Sequence, residues 1–398
     1  MTPHLISTPA VWMEGSATLQ LERAADHPAC LAAVGMPDLH AGQHGPIGVA
    51  IAFSDGPHPR LIGGDAGCGA RLLGLPGLRS GGQDALERRA REVLDEPVID
   101  GPHEALLAAA WTAGPRGLLT LDGVPGALQE LAALEPEDHD PPSAPTPDGD
   151  FGASLGTVGG GNHFMEVSEV EAVQDKALAK RAGLVAGGLA VLAHSGSRGL
   201  GKVLADRWPE GPLEGEALDR WLGELAGAVR YARTNRLLLV WKLLRALGAA
   251  RISKIGGGFD VVHNTVVRAS VEGQPAWLHR KGCAPADLGQ LTVVLGSRGA
   301  RSWVMEGAGC ASALCSVAHG AGRKMTRSEA RAKVAAHHSR ASLTRTPLGG
   351  RVICDDPNLL YEEHPDAYKA IEPVIDALET HGAARRLLAL RPILTVKR

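Results

Sequence analysis

The chain has 398 residues, 44% of them hydrophobic, enough to bury a large core in one large domain or in two or three ordinary ones. Its 41 basic and 44 acidic residues give a formal charge of -3, which excludes the strongly basic profile of a protein that coats nucleic acid without discrimination; any RNA contact has to come from a local basic patch. Six scattered cysteines without a CxxC pair fit a reducing, cytoplasmic compartment better than a disulfide framework. No signal-peptide pattern or membrane-length apolar run is present, so a soluble protein without membrane association is expected.

In chain order, the apolar run at residues 47–53 predicts a buried strand, and GGDAGCGARL (63–72) follows it. Residues 85–94 carry helical spacing. Residues 135–150, rich in proline and acid, have little apolar surface to offset the entropy of ordering. They read as a mobile surface loop inserted in one composite domain spanning residues 1–398, because glycine-rich motifs lie on both sides. GTVGGGNHFMEV (156–167) comes next, then a strand at 189–193 running into LAHSGSRGLG (192–201), a long helical stretch at 214–247, and FDVVHNTV (259–266). A strand at 291–295 precedes SVAHGAGRKMTR (316–327), whose end opens a helix over 326–336 with Thr326 as N-cap. This mixture predicts an α/β or α+β fold with sheet at its centre.

Five of these motifs put a histidine, cysteine or aspartate beside glycines near a strand end, where side chains converge at a sheet edge. In the first, Asp65 and Cys68 flank Gly67, so a tight turn can aim carboxylate and thiolate at one cation. Taken alone, such a cysteine reads as a small buried apolar group. His163, His194 and His263 each follow or end an apolar strand; singly each reads as a satisfied core histidine, whereas three in the same setting point to a metal site. Carboxylate, thiolate and imidazole together suit zinc, manganese, iron or cobalt better than magnesium or calcium. His319 precedes Gly320, Ala321 and Gly322, with Arg323, Lys324 and Arg327 entering a helix. This is a phosphate cradle without the P-loop or dinucleotide pattern, and its plainer reading is a helix entry with solvated arginines.

Taken together, these motifs resemble the RtcB RNA ligase family, as do MPDLHAGQHGPIG (36–48), TNR (234–236), HRKG (279–282), GSRGARS (296–302), AYK (367–369) and the terminal VKR. The resemblance runs almost end to end and implies an RtcB-like fold of central mixed β-sheets flanked by helices. It implies that Asp65, Cys68 and His163 hold one manganese, and that Cys68, His194 and His263 hold a second. It also implies that His319 is the nucleophile that takes a guanylyl group from GTP. Asn162, Phe164, Glu166, Asn264, Ser297, Ser302, Gly320, Ala321, Gly322, Tyr368 and Lys397 match the nucleotide pocket, Glu166 accepting from the guanine edge. Arg198, Arg323 and Arg327 match positions that grip RNA phosphates. The implied reaction joins RNA 2',3'-cyclic phosphate or 3'-phosphate ends to 5'-hydroxyl ends in RNA repair or tRNA splicing, with an archease-like activator as a candidate partner. DAGCGA, GSRGA and the final Arg398 depart from the commoner family pattern and resemble a shorter bacterial branch associated with a release-factor homologue. Two readings compete: a two-metal phosphodiesterase or phosphatase, and a non-catalytic binder of broken RNA ends.

Overall fold

In the computed structural model, which describes residues 1–138 and 140–398, the apolar runs become strands and the 3.6-periodic stretches become helices. The strands are β1 (His4–Leu5), β2 (Cys30–His40), β3 (Ile47–Phe53), β4 (Gly69–Leu75), β5 (Phe164–Glu171), β6 (Leu189–Ser195), β7 (Gly257–Val262) and β8 (Asn264–Val271). They continue with β9 (Gln274–Lys281), β10 (Cys283–Pro285), β11 (Leu291–Val294), β12 (Ser302–Gly307), β13 (Ser316–Ala318), β14 (Arg351–Cys354) and β15 (Ala384–Lys397). Five form a sheet in the order β1-β2-β3-β9-β8. Eight form a larger sheet, β11-β12-β15-β5-β6-β4-β7 with β14 beside β15, and β10 pairs with β13. Each large sheet is antiparallel apart from one parallel pair, β1 with β2 and β14 with β15. These are the mixed sheets expected.

Alternation along the strands divides the core. In β3, Val49, Ile51 and Phe53 pack with Leu21 of the helix Gly15–Ala25, while Ala50 and Ala52 face a second cluster with Val374 and Leu378 of the helix Ile371–Thr380. In the large sheet, Val191 and Ala193 of β6 meet Leu237, Leu238 and Leu239 of the long helix Gly215–Ala246. Ala190 and Leu192 pack on the other side with Leu387 and Leu388. A helix buried along most of its length needs apolar residues nearly all round, and this one has them. The polar residues it does bury, Asn235 and Arg236 among them, therefore require partners.

One local expectation is met in detail. The helix Arg327–His337 starts behind Thr326, whose hydroxyl accepts from the Glu329 N–H at 3.3 Å, while the Glu329 carboxylate accepts from the Thr326 N–H at 2.8 Å. Residues 135–138 and 140–150 hold no helix or strand. This stretch is nonetheless anchored: the Trp111 indole donates to Ala144 O at 2.6 Å, and Arg230 donates to Pro141 O at 2.9 Å and to the Ser143 hydroxyl at 2.7 Å. His139, within the same stretch, lies outside the described residues. Among the described residues no helix is long and apolar enough to cross a membrane, and all six cysteines are free.

Candidate metal centre and nucleophile

Strand order makes the site. β7, β4, β6 and β5 are consecutive neighbours and all antiparallel, so the ends of β6 and β7 lie at the same margin of the sheet as the starts of β4 and β5. Cys68 immediately precedes β4, His163 precedes β5, His194 is the penultimate residue of β6, and His263 follows β7. His263 is also the single residue between β7 and β8, where the chain passes from the large sheet to the five-stranded one. The margin therefore lies where the two sheets meet.

The side chains converge as the strand ends dictate. Cys68 Sγ lies 3.6 Å from His163 Nε2 and 3.4 Å from His194 Nε2. His194 Nε2 is 3.2 Å from His263 Nε2, and Asp65 Oδ2 is 2.8 Å from His163 Nε2. The donor atoms form two triads, Asp65–Cys68–His163 and Cys68–His194–His263, each with all ligand atoms within 4.8 Å of one another. Cys68 belongs to both, the position a bridging thiolate requires. Donors about 2.0–2.3 Å from a shared cation stand about 3.3–3.7 Å apart, which is close to most of these separations. Gly67 makes the turn possible: its φ is +75°, and a Cβ there would lie 2.8 Å from Val229 Cα.

The electrostatics suit cation ligands. Burial, reinforced by the surrounding imidazoles, pushes His194 and His263 far below the ordinary histidine value, so both rings are neutral. His194 Nδ1 faces Asn162 O at 3.3 Å, which puts the proton on Nδ1 and leaves the Nε2 lone pair for the cation. Burial would raise Asp65, but His163 outweighs it and holds the carboxyl below its usual range. Burial and the Asp65 charge raise the Cys68 thiol well above its usual value, a proton that a bound divalent cation would displace.

His319 immediately follows β13, its ring centroid 4.8 Å from that of His263. Its Nδ1 donates to Asp38 Oδ2 at 2.7 Å, and Asp38 is completely buried. That bond fixes the tautomer and leaves Nε2 with a free lone pair. Gly282, between β9 and β10, is needed here as well, because at φ +59° its Cβ would lie 2.9 Å from His319 Cε1. His319 and four of the five donor residues (Asp65, Cys68, His194 and His263) line one cavity of about 740 Å³.

The other expected residues divide into those that face the cavity and those behind its wall. Asn162, Phe164, Asn264, Ser297, Gly320, Ala321, Gly322, Tyr368 and Lys397 face it, as do Arg323 and Arg327. Glu166 and Ser302 are not in the lining. Glu166 is buried behind Thr395, accepting from the Thr395 hydroxyl at 2.8 Å and the Ser168 hydroxyl at 2.7 Å, and burial pushes its carboxyl up to about 7. The Ser302 hydroxyl accepts from Gly296 N–H at 3.0 Å, holding the loop that carries Ser297. Asn264 is partly scaffold, donating to Asp65 O at 3.1 Å and accepting from Gly282 N–H at 2.7 Å. Burial lowers Lys397 to about 8; its ammonium donates to His163 O at 3.1 Å.

Among the arginines, Arg323 is committed to the protein, donating to Glu363 at 3.0 Å, Glu362 O at 3.0 Å and Met325 O at 3.1 Å. Arg327 keeps 56% of its side chain exposed. Arg198 lies outside the cavity, its guanidinium packed against Gly159, while its backbone N–H donates to Asp65 Oδ1 at 3.2 Å.

Sequence reasoning missed three positioning groups. Asp38 sits inside MPDLHAGQ, where a lone aspartate between apolar residues of one strand was the available signal. Arg236, fully buried, donates to Gly67 O and Ser195 O, each at 2.8 Å, and to both oxygens of Asp260. It thus holds the residues next to Cys68 and His194. Asn235 accepts from Gly156 N–H at 2.8 Å and donates to the Ser195 hydroxyl at 2.9 Å. Both come from the TNR motif, whose polar character inside an otherwise apolar helix was the signal.

Comparison with known proteins agrees with this geometry. The family model described as tRNA-splicing ligase RtcB matches residues 138–214 and 210–398. The chain is 36% identical to the RNA-splicing ligase RtcB2 of Escherichia coli, over 98% of this chain and 94% of the relative. It is 30% identical to the RNA-splicing ligase RtcB of Mycobacterium tuberculosis, over 92% and 96%, and 27% identical to the tRNA-splicing ligase RtcB of Archaeoglobus fulgidus, over 91% and 87%. Near full-length similarity, together with a five-donor centre beside a carboxylate-held histidine, leads to one assignment: this chain belongs to the RtcB family.

Proposed function

We propose that the chain is a GTP- and manganese-dependent RNA ligase that joins a 3'-phosphate or 2',3'-cyclic phosphate end to a 5'-hydroxyl end through guanylylated His319. The observation that carries this reading is the two donor triads sharing Cys68, with the His319 ring 4.8 Å from that of His263. A nucleophilic imidazole beside a divalent-cation site is the equipment for phosphoryl or nucleotidyl transfer, whereas hydrolysis needs only an activated water. Asp65, Cys68 and His163 would hold one cation, and Cys68, His194 and His263 the other. Bound there, the cations would neutralise phosphate charge that otherwise repels a nucleophile.

His319 Nε2 attacks the α-phosphorus of GTP, a P–N bond forms and pyrophosphate leaves. Asp38 stabilises the positive charge that the ring acquires, through the 2.7 Å bond to Nδ1. A cyclic phosphate end is first opened by water to a 3'-phosphate. An oxygen of that 3'-phosphate then takes GMP from His319, and the 5'-hydroxyl attacks the activated phosphorus, expelling GMP and leaving a 3',5'-phosphodiester. Lys397, Lys281 and Arg327 supply positive charge along the cavity for the phosphates, Lys281 being lowered to about 8 by burial. Glu166 needs the Thr395 and Ser168 side chains to turn aside before it can accept from guanine.

Incubation of an RNA bearing a 2',3'-cyclic phosphate with a 5'-hydroxyl RNA, GTP and Mn²⁺ should give a joined product, lost when GTP is omitted and in Cys68→Ser. Conversion of the cyclic phosphate without joining, or joining independent of GTP, would instead favour the hydrolase reading or a different nucleotide.

A further inference from the structure

Away from the catalytic cavity, His27, Asp55 and His58 each offer a ligand atom, all within 4.8 Å of one another. Their convergence is built into a strand pair. β2 and β3 run antiparallel with Cys30 opposite Phe53, so the residues just before β2 and just after β3 emerge side by side. Ser54 N–H, donating to Ala29 O at 3.0 Å, closes that end. His27 lies between the helix Gly15–Ala25 and β2, Asp55 two residues past β3, and His58 at the entry to the short 3-10 turn Pro59–Ile62.

His58 Nε2 stands 3.1 Å from Asp55 Oδ1, close to the separation of about 3.3 Å between two donors about 2.0–2.1 Å from one tetrahedral ion. The His27 and His58 rings meet edge to face with centroids 5.1 Å apart. His58 is held from behind by Phe53, centroids 4.3 Å apart, and by His279. His279 Nε2 accepts from His58 N–H at 2.8 Å and its Nδ1 donates to Trp277 O at 3.0 Å. With both ring nitrogens engaged, His279 supports the site without being a ligand. Among the described residues Asp55 pairs with His58 and with no lysine or arginine, so no fixed cation occupies the place of a metal.

We propose that His27, Asp55 and His58 form a metal site separate from the catalytic centre, taking a late first-row divalent cation such as Zn²⁺, with water completing the coordination. Two imidazoles and one carboxylate favour zinc over manganese. Binding through either ring nitrogen gives up the long 3.3 Å contact that His27 Nδ1 accepts from Ala29 N–H, because one nitrogen's lone pair goes to the metal and the other carries the proton. The bound ion ties the turn before β2 to the segment that leads, seven residues after His58, to Asp65.

The test uses the full chain, stripped with a chelator, equilibrated with Zn²⁺, desalted, and assayed for zinc per chain in both the wild-type and Cys68→Ser backgrounds. His27→Gln and Asp55→Asn should each lower the count by one equivalent in either background. With Co²⁺, the thiolate-to-cobalt absorption that depends on Cys68 should persist in both variants. Equal zinc counts in the parent and both variants would overturn the proposal, as would a loss of the Cys68-dependent band along with the missing equivalent.

Discussion

At the scale of single residues, the chemistry proposed for His319 turns on which of its ring nitrogens is free. Asp38 decides this by holding Nδ1. Asp38→Asn keeps the shape but removes the charge that stabilises a cationic ring. It should slow guanylylation by on the order of 10²- to 10⁴-fold, measured as single-turnover adduct formation, with bound metal unchanged; a rate within a few-fold of wild type would reduce Asp38 to a packing role. Glu166 makes a pH prediction. Its folded-state value of about 7 exceeds the ordinary 4.5, so the unfolded chain loses this proton first and the contribution to stability falls as pH rises through 4.5 to 7. Urea unfolding of Glu166→Gln at pH 5 and pH 8 should show a smaller loss over that interval than wild type, and an identical loss would mean that the carboxyl is not perturbed. The proposed site residues Asp65, Cys68, His163, His194, His263 and His319 could be singled out because each lies within two residues of a glycine or asparagine near a strand end, an uncommon setting in a plain core. Asp38 was not legible, because its partner lies 281 residues away and nothing local announces it.

At the scale of elements, the centre is a consequence of strand order. Three of the fifteen strands could be read from apolar runs: β3 spans the expected residues, β11 falls within its expected run, and β6 continues two residues past its own, which brings His194 onto the strand. The long helix and the Thr326 cap were equally plain. The neighbour relations β7-β4-β6-β5 were not, since an antiparallel order among distant strands is set by long-range packing and leaves no local signature. The same holds for the depth of Glu166: alternation along β5 assigns a face, but whether that face meets solvent or Thr395 depends on β15, with Thr395 229 residues further on. Arg236 links the long helix to two of the strand ends that carry ligands, the start of β4 and the end of β6. Arg236→Gln leaves Gly67 O and Ser195 O without their donor and should cost on the order of 3 kcal/mol in urea unfolding, with weaker metal retention. Stability and metal content both equal to wild type would show that the helix does not hold the site. Gly282→Ala tests the other sheet: with its Cβ against the His319 ring, it should lower activity far more than it lowers the melting temperature.

At the scale of the whole molecule, the site lies where the two large sheets meet, and His263 is the residue at which the chain crosses between them. Cations held by Asp65 and Cys68, by His163 and His194 from the large sheet, and by His263 at the crossing would therefore brace that junction. Chelation should lower the melting temperature, and Mn²⁺ or Zn²⁺ should restore it in a concentration-dependent way; a melting temperature indifferent to metal would place the donors in a purely structural role. The overall charge of -3 is compatible with RNA as a substrate because the cavity wall concentrates Lys281, Lys324, Arg327 and Lys397. RNA engagement should accordingly weaken with salt, with a slope set by a few phosphate contacts. The most direct measurement is to incubate the protein with Mn²⁺ and GTP labelled at the α-phosphate and to locate the label by mass spectrometry. An acid-labile GMP adduct should form on His319, be absent from His319→Ala and pass on to RNA bearing a 3'-phosphate; a label that persists in His319→Ala, or maps to another residue, would contradict the proposed role of His319.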